Sequence, residues 1–148
     1  MSYRNITPIV LSLAAVLLLA PAQAADPEDL VNYRKSVMRA IGGHNTAAVA
    51  IVRGQVPHSE HLQHHAEALL ATSRMVGALF PPESASGDTD ALALIWEQPE
   101  AFNAAVADTE AAAAALLTAI TEGGDVAAAI RDLGVSCRGC HQDYRARR

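Results

Sequence analysis

Residues 125–145 read DVAAAIRDLGVSCRGCHQDYR. Apolar side chains recur there every three or four residues, which predicts the inner face of an α-helix that Asp125 caps. Cys137 and Cys140, the only two cysteines of the chain, lie on that face, and His141 follows at once. A Cys-x-x-Cys-His string is the pattern of c-type haem attachment. Its spacing suits two thiols that add to the two vinyl groups of a haem while the adjacent histidine reaches the iron.

Three other uses of this cysteine pair fit the sequence less well. A thioredoxin-like redox pair would lie beside a βαβ unit, and the sequence has no segment with the pattern of a strand. A structural zinc site needs four Cys or His ligands in matched pairs, and no second pair exists. A Cys137–Cys140 disulfide would close too small a loop to stabilise the fold much. Haem attachment is the prediction that we carry forward.

The rest of the chain also has the composition of a helical protein, with abundant alanine and few aromatic residues. Glycine and proline divide it into further helices, which we expect at residues 26–54, 59–80 and 99–123. Ile95-Trp96 should form a short apolar plug under the loop at 83–90. Together with the last helix, these segments predict an all-α, antiparallel up-down-up-down four-helix bundle with the haem in its core.

One pair of residues is unusual for a helix interior. Gly42-Gly43 lies inside the first helix, where each glycine costs up to about 1 kcal/mol relative to alanine. We therefore expect a bulky group to pack against the helix backbone at this point.

The N-terminus has the layout of a secretory signal peptide. Residues 9–20 form an apolar run interrupted only by Ser12, and the small-residue triplet Ala22-Gln23-Ala24 follows. The run has 12 residues, and a membrane span needs about 20. The sequence thus predicts a signal peptide at 1–24, a single bundle domain at 25–148 and export to the periplasm.

Charge narrows the range of partners. The 148-residue chain has a formal net charge of −5, and without residues 1–24, which contain Arg4 and no acid, it is −6. Nucleic acid is not expected as a partner, because its phosphates require clustered Lys and Arg. An acidic surface suits basic partner proteins. No stable membrane insertion is expected, since no later stretch has the pattern of a span.

A motif so close to the C-terminus resembles the class II c-type cytochromes, that is, cytochrome c′ and low-spin relatives such as cytochrome c-556. The resemblance covers essentially the whole of residues 25–148. Its anchors, in chain order, are Pro27-Glu28-Asp29, Tyr33-Arg34-Lys35-Ser36, Gly54-Gln55, Ile95-Trp96, Phe102 and the ending from Cys137 to Arg145.

The resemblance implies a role for each matching residue. Cys137 and Cys140 would hold one haem c by thioethers, and His141 would be the proximal iron ligand. Arg34 would approach a haem propionate, and Arg145 would lie near the proximal face. The family also includes proteins that pair through their first two helices, so a homodimer is possible.

Met38 separates two functions within this family. In the low-spin relatives a methionine sulfur from the first helix binds the iron, and His/Met ligation suits electron transfer. The main expectation is therefore a one-electron carrier with six-coordinate iron, held by His141 and Met38, that serves redox partner proteins without enzymatic turnover. The alternative is a five-coordinate, high-spin cytochrome c′ that binds NO or CO, with Met38 as packing only.

Four histidines crowd the start of the second helix: His58, His61, His64 and His65. His61 and His65 are one turn apart, a spacing that would allow a metal to bridge them. No Asp or Cys nearby completes a site, so the sequence favours a solvated surface and leaves the role of these histidines open.

Overall fold

The computed structural model describes residues 25–147, so the predicted signal peptide at 1–24 lies outside the described residues. The helices, in chain order, are α1 (Pro27–Val52), α2 (Leu62–Ser73), the one-turn α3 (Leu94–Glu97), α4 (Pro99–Glu122) and α5 (Val126–Tyr144). The four long helices form the predicted antiparallel bundle, in which α1 packs on α2, α2 on α4 and α4 on α5. Within residues 25–147 the only β-type pairing is an isolated bridge between Ala91 and Arg145.

Local sequence signals set most of the helix ends. Asp26 Oδ1 accepts a 2.8 Å hydrogen bond from the Glu28 amide, and Asp125 Oδ1 accepts one of 2.8 Å from the Ala128 amide. At the end of α4, Gly123 has φ +82°, a left-handed conformation that favours glycine. These caps confirm the predicted starts of α1 and α5 and the predicted end of α4.

The second helix differs from its prediction. Its α-helical part is only Leu62–Ser73, with a 3₁₀ turn before it at Ser59–His61 and another after it at Val76–Leu79. The predicted start at residue 59 lies inside the first of these turns, and no side chain caps α2. Gly77 weakens continuation of the α-helix. The Leu79 carbonyl accepts its hydrogen bond from Arg34 on α1, 3.3 Å away, which anchors the second turn to another helix.

Gly42-Gly43 has no bulky protein neighbour within residues 25–147. Both glycines are exposed on an unbroken α1, and a side chain at either position would meet nothing within 4 Å. The expected bulky group is therefore not a side chain of the described residues.

The core forms two clusters. The larger one joins all four long helices and contains fully buried alanines that let the helix backbones approach closely. Its buried members are Ala48, Ala66, Leu69, Ala113, Leu116, Ile130 and Leu133. The smaller cluster consists of Ile95 on α3, Phe102 on α4 and Tyr144 on α5. Burial of Ile95, with Trp96 packed against the cluster, confirms the predicted apolar plug.

The expectation that no later segment could span a membrane needs one correction. By length and composition alone, α4 is apolar enough to cross a bilayer. Its alanine-rich sequence produces that hydropathy, and in the structure α4 packs against α2 and α5 of the bundle.

Candidate haem site

The last helix presents the motif to the interior of the bundle. Cys137 and Cys140 lie one turn apart on α5, and both are partly buried free thiols. Cys137 packs against the larger core cluster and Cys140 against the smaller one. Burial raises the pKa of both thiols, and for Cys140 the neighbouring Cys137 and Asp143 raise the pKa further. Both sulfurs therefore remain protonated at neutral pH, the form that can add across a vinyl double bond.

His141 lies in a setting that keeps it neutral. Its side chain is partly buried, and burial lowers the pKa of the imidazole, with a smaller contribution from the positive charge of Arg145. A neutral imidazole has a free nitrogen lone pair, which iron ligation requires. His141 is thus prepared to bind a metal at the pH where the thiols are still protonated.

A large cavity opens beside these residues. It has a volume of about 880 Å³ and is lined by Cys140 and His141 from α5 and by Arg34 and Met38 from α1. Ligand and cofactor cavities fall in the range of about 300–1,000 Å³. The sequence-predicted site residues Arg34, Met38, Cys140, His141 and Arg145 all line this one cavity. Cys137 is not among its lining residues but lies one turn earlier on the same helix.

Apolar and aromatic side chains form one wall of the cavity. Phe102 stands edge-on to Phe80 at a ring-centre distance of 4.9 Å and to Tyr144 at 5.1 Å. Trp96 helps to hold Phe80 in this wall, because its indole Nε1 donates a 3.0 Å hydrogen bond to the Phe80 carbonyl. A planar, largely apolar macrocycle fits such a wall, and the adjacent imidazole and thiols are the donors that a covalent haem needs. The residues present therefore fit the cofactor that the motif predicts.

Arg34 is the most strongly bound polar side chain of the site. It is 4 % exposed, and its guanidinium donates to Ser84 Oγ at 2.6 Å, Thr89 Oγ1 at 2.7 Å and the Ser84 carbonyl at 3.1 Å, besides Leu79. The guanidinium carbon also lies 4.8 Å from the centre of the Phe80 ring. The sequence predicted a haem-propionate contact and did not identify these protein partners. The structure shows that Arg34 ties α1 to the loop at 81–90.

Three further contacts hold the rim of the cavity. Lys35 Nζ forms a 2.7 Å ion pair with Asp88 Oδ2, next to the Arg34 network. Arg145 is exposed at the end of α5, where it forms the bridge with Ala91. The neighbouring amide of Ala146 donates to the Asp90 carbonyl at 2.8 Å. The rim loop is thereby held by α1 on one side and by the C-terminal segment on the other.

Comparison with known proteins decides the family. The sequence profile described as Cytochrome C′ matches residues 29–145. The chain belongs to the cytochrome c′ family. As a member of this family it is a mono-haem c-type cytochrome of the electron-carrier type, with one covalently attached haem c.

Three similar proteins illustrate the range of this cytochrome family. The chain is 38% identical to the cytochrome c′ of Pararhodospirillum photometricum over 124 residues, which cover 82% of this chain and 99% of that protein. It is 33% identical to the cytochrome c-556 of Agrobacterium tumefaciens, over 80% of this chain and 98% of that protein. A nitric oxide complex of a cytochrome c prime variant from Alcaligenes xylosoxidans matches with a TM-score of 0.77 at 30% identity, over 84% of this chain and 100% of that chain.

Proposed function

We propose that this cytochrome is of the five-coordinate, high-spin kind and binds a diatomic gas such as NO or CO. In this proposal Cys137 and Cys140 hold the haem, His141 is the single protein ligand of the iron, and Met38 covers the opposite face without binding it. The observation that carries the proposal is the cavity of about 880 Å³ that His141 and Met38 line together with Val76, Phe80 and Phe102. Val76, Phe80 and Phe102 give part of this cavity an apolar wall, and charged residues such as Arg39, Asp88 and Arg147 line another part.

The similar structures support the same choice. Several of the matched solved structures are nitric oxide complexes of cytochrome c prime variants, at TM-scores of 0.76–0.77 and about 30% identity. These nitric oxide complexes favour the gas-binding alternative over the carrier with His/Met ligation, which was the main expectation from the sequence.

The residues of this chain have separate tasks in the proposed mechanism. When bound, the haem would supply a redox-active iron that can take up a diatomic gas. His141 offers a neutral imidazole from α5. The apolar side chains of Phe80, Phe102 and Val76 in the cavity would favour an uncharged diatomic ligand over a charged one. Arg34 holds the loop over the cavity and contributes a positive charge at its edge.

A His141/Met38 ligand pair is the second candidate. Its support is that Met38 lines the same cavity as His141, and that a cytochrome c-556 is among the relatives at 33% identity. A thioether ligand would raise the reduction potential and block gas binding. The two candidates therefore predict opposite spectra for the same protein.

Optical spectroscopy with CO titration separates them, using wild type, Met38→Leu and Met75→Leu. Met75 is the matched control because it is an exposed methionine that is not among the residues lining the cavity. Our proposal expects high-spin ferric iron and rapid CO binding in all three proteins, with only the CO rate changed by Met38→Leu. A low-spin wild type that binds CO only after Met38→Leu would overturn the proposal in favour of the second candidate.

We further propose that the protein is exported to the periplasm, exchanges single electrons with partner proteins and has no enzymatic turnover. Export rests on the apolar run and the Ala22-Gln23-Ala24 triplet. Intact mass of the protein recovered from the periplasm should match a chain that begins at Ala25, and a mass that retains residues 1–24 would contradict cleavage at that site. Sedimentation of the same preparation tests the possible homodimer.

A further inference from the structure

A group of three metal-ligating side chains lies in the 3₁₀ turn before α2. Glu60 Oε1 is 3.6 Å from His58 Nδ1 and 3.5 Å from His61 Nε2. All three ligand atoms lie within 4.8 Å of one another. None of these residues is among those that line the haem cavity, so the group is separate from the iron site.

The geometry of the turn brings the three side chains together. In a 3₁₀ helix, residues three apart lie on the same side, one above the other. His58 and His61 therefore stack, with ring centres 5.1 Å apart and ring planes 12° apart. Glu60 reaches both rings from within the same turn. In an α-helix, residues three apart are also neighbours but are offset by about 60° around the axis, so the 3₁₀ turn aligns the two rings more directly.

The separations suit a small divalent ion. Zinc binds imidazole nitrogen and carboxylate oxygen at about 2.0–2.2 Å, so two tetrahedral ligands are about 3.3–3.6 Å apart. The distances from Glu60 Oε1 to His58 Nδ1, 3.6 Å, and to His61 Nε2, 3.5 Å, lie at the upper end of this range. Each of the three side chains is more than half exposed, so small rotations can close the remaining distance.

We propose that His58, Glu60 and His61 bind one divalent transition-metal ion at the protein surface, Cu²⁺ more tightly than Zn²⁺. Two imidazoles and a carboxylate are ligands that both ions accept, and copper binds more tightly at a given nitrogen and oxygen site. Three protein ligands leave an open coordination position for water. The negative net charge of the chain favours cation binding.

The test is calorimetric titration of Cu²⁺ and Zn²⁺ into haem-loaded protein without a histidine tag. Loading matters because free thiols at Cys137 and Cys140 would themselves bind these metals. We expect one ion per chain. His58→Ala, His61→Ala and Glu60→Gln should each weaken Cu²⁺ binding by at least about tenfold, since even a lost outer-shell partner costs 10–100-fold.

His64→Ala is the matched control. His64 is an exposed histidine three residues beyond His61, but its Nδ1 lies 3.5 Å from Glu67 and not beside Glu60. This variant should bind Cu²⁺ as wild type does, and pulsed electron paramagnetic resonance of the wild-type Cu²⁺ complex should show two imidazole nitrogens. An unchanged haem spectrum in every variant would show that the fold is intact.

Two results would overturn the proposal. One is the absence of stoichiometric binding. The other is binding that His65→Ala or His44→Ala abolishes while His58→Ala leaves it intact. The second result would place the ion between α1 and α2, where the Nδ1 atoms of His44 and His65 lie 3.0 Å apart.

Discussion

Arg34 Nη1 donates a 2.6 Å hydrogen bond to Ser84 Oγ, which joins α1 to a loop fifty residues further along the chain. Ser84 is fully buried, and its hydroxyl also donates to the Pro81 carbonyl at 2.8 Å. The pair is the centre of a network that fixes the loop over the cavity. The loop has only a short 3₁₀ turn, Pro82–Ser84, of its own, so it depends on this network and on the contacts at the cavity rim.

Replacing Arg34 with alanine should lower the free energy of unfolding by at least about 3 kcal/mol, because it leaves the Leu79 and Ser84 carbonyls without their donor in a buried site. Urea unfolding of the haem-loaded protein measures the loss. Arg53→Ala is the control, since Arg53 is exposed at the end of the same helix, does not line the haem cavity and should change stability by no more than about 0.5 kcal/mol. Equal stabilities of the two variants would show that the network contributes little.

Arg34→Lys separates the charge of Arg34 from its hydrogen bonds. A lysine keeps the positive charge but cannot reproduce the planar fork that reaches Leu79, Ser84 and Thr89 together. We expect Arg34→Lys to recover only a minor part of the stability lost in Arg34→Ala and to leave the spin state unchanged. Its reduction potential should lie closer to the wild-type value than that of Arg34→Ala. Redox titration of both variants provides the measurement. Full recovery of stability by lysine would mean that charge, and not the hydrogen-bonded fork, holds the loop.

The two cysteines should each contribute one covalent bond to the haem. Cys137→Ser or Cys140→Ser should leave a protein with one thioether, and the double variant should release its haem on acid–acetone extraction. Ser136→Ala is the control, because it lies next to Cys137 and should keep both bonds. Mass spectrometry and the pyridine haemochrome spectrum report the number of bonds, and covalent haem in the double variant would exclude these cysteines as the attachment points.

The sequence predicted the parts of this structure that depend on local signals. Asp26, Gly123 and Asp125 mark helix ends through contacts within four or five residues, and the Cys137–His141 motif carries its own chemistry. The partners of Arg34 could not be predicted in this way. They lie 45 to 55 positions further along the chain, a separation that leaves no periodic signal in the sequence.

In the histidine-rich segment, the sequence pattern also fails to predict which side chains are neighbours, although these residues are close together in the chain. An α-helix that runs from Ser59 onward predicts that His61 pairs with His65, one turn later. The segment begins instead as a 3₁₀ turn, which pairs His58 with His61 and brings in Glu60. His65 faces His44 on α1. A local change in helix type thus regroups the same side chains into a different set of neighbours.

The contact between His44 and His65 should make stability depend on pH. Their Nδ1 atoms share a hydrogen bond of 3.0 Å, in which one ring must accept and so be unprotonated at that atom. Burial lowers the pKa of His65, and the charges of His44, His61 and His64 lower it further. The unfolded chain takes up a proton at an ordinary histidine pKa of about 6.5, whereas the folded chain does so only at lower pH. The unfolded state therefore binds more protons in this window, so the stabilisation is complete above about pH 6.5 and is lost as the pH falls below it.

His65→Gln removes this titration. Urea unfolding at pH values between about 7.5 and 5.5, on either side of the ordinary histidine pKa, should show a smaller loss of stability in His65→Gln than in wild type. His58→Gln, a change at an exposed histidine that is not among the charges acting on His65, should keep the wild-type dependence. Parallel curves for wild type and His65→Gln would mean that His65 titrates alike in the folded and unfolded chains, and that its contact with His44 does not resist protonation.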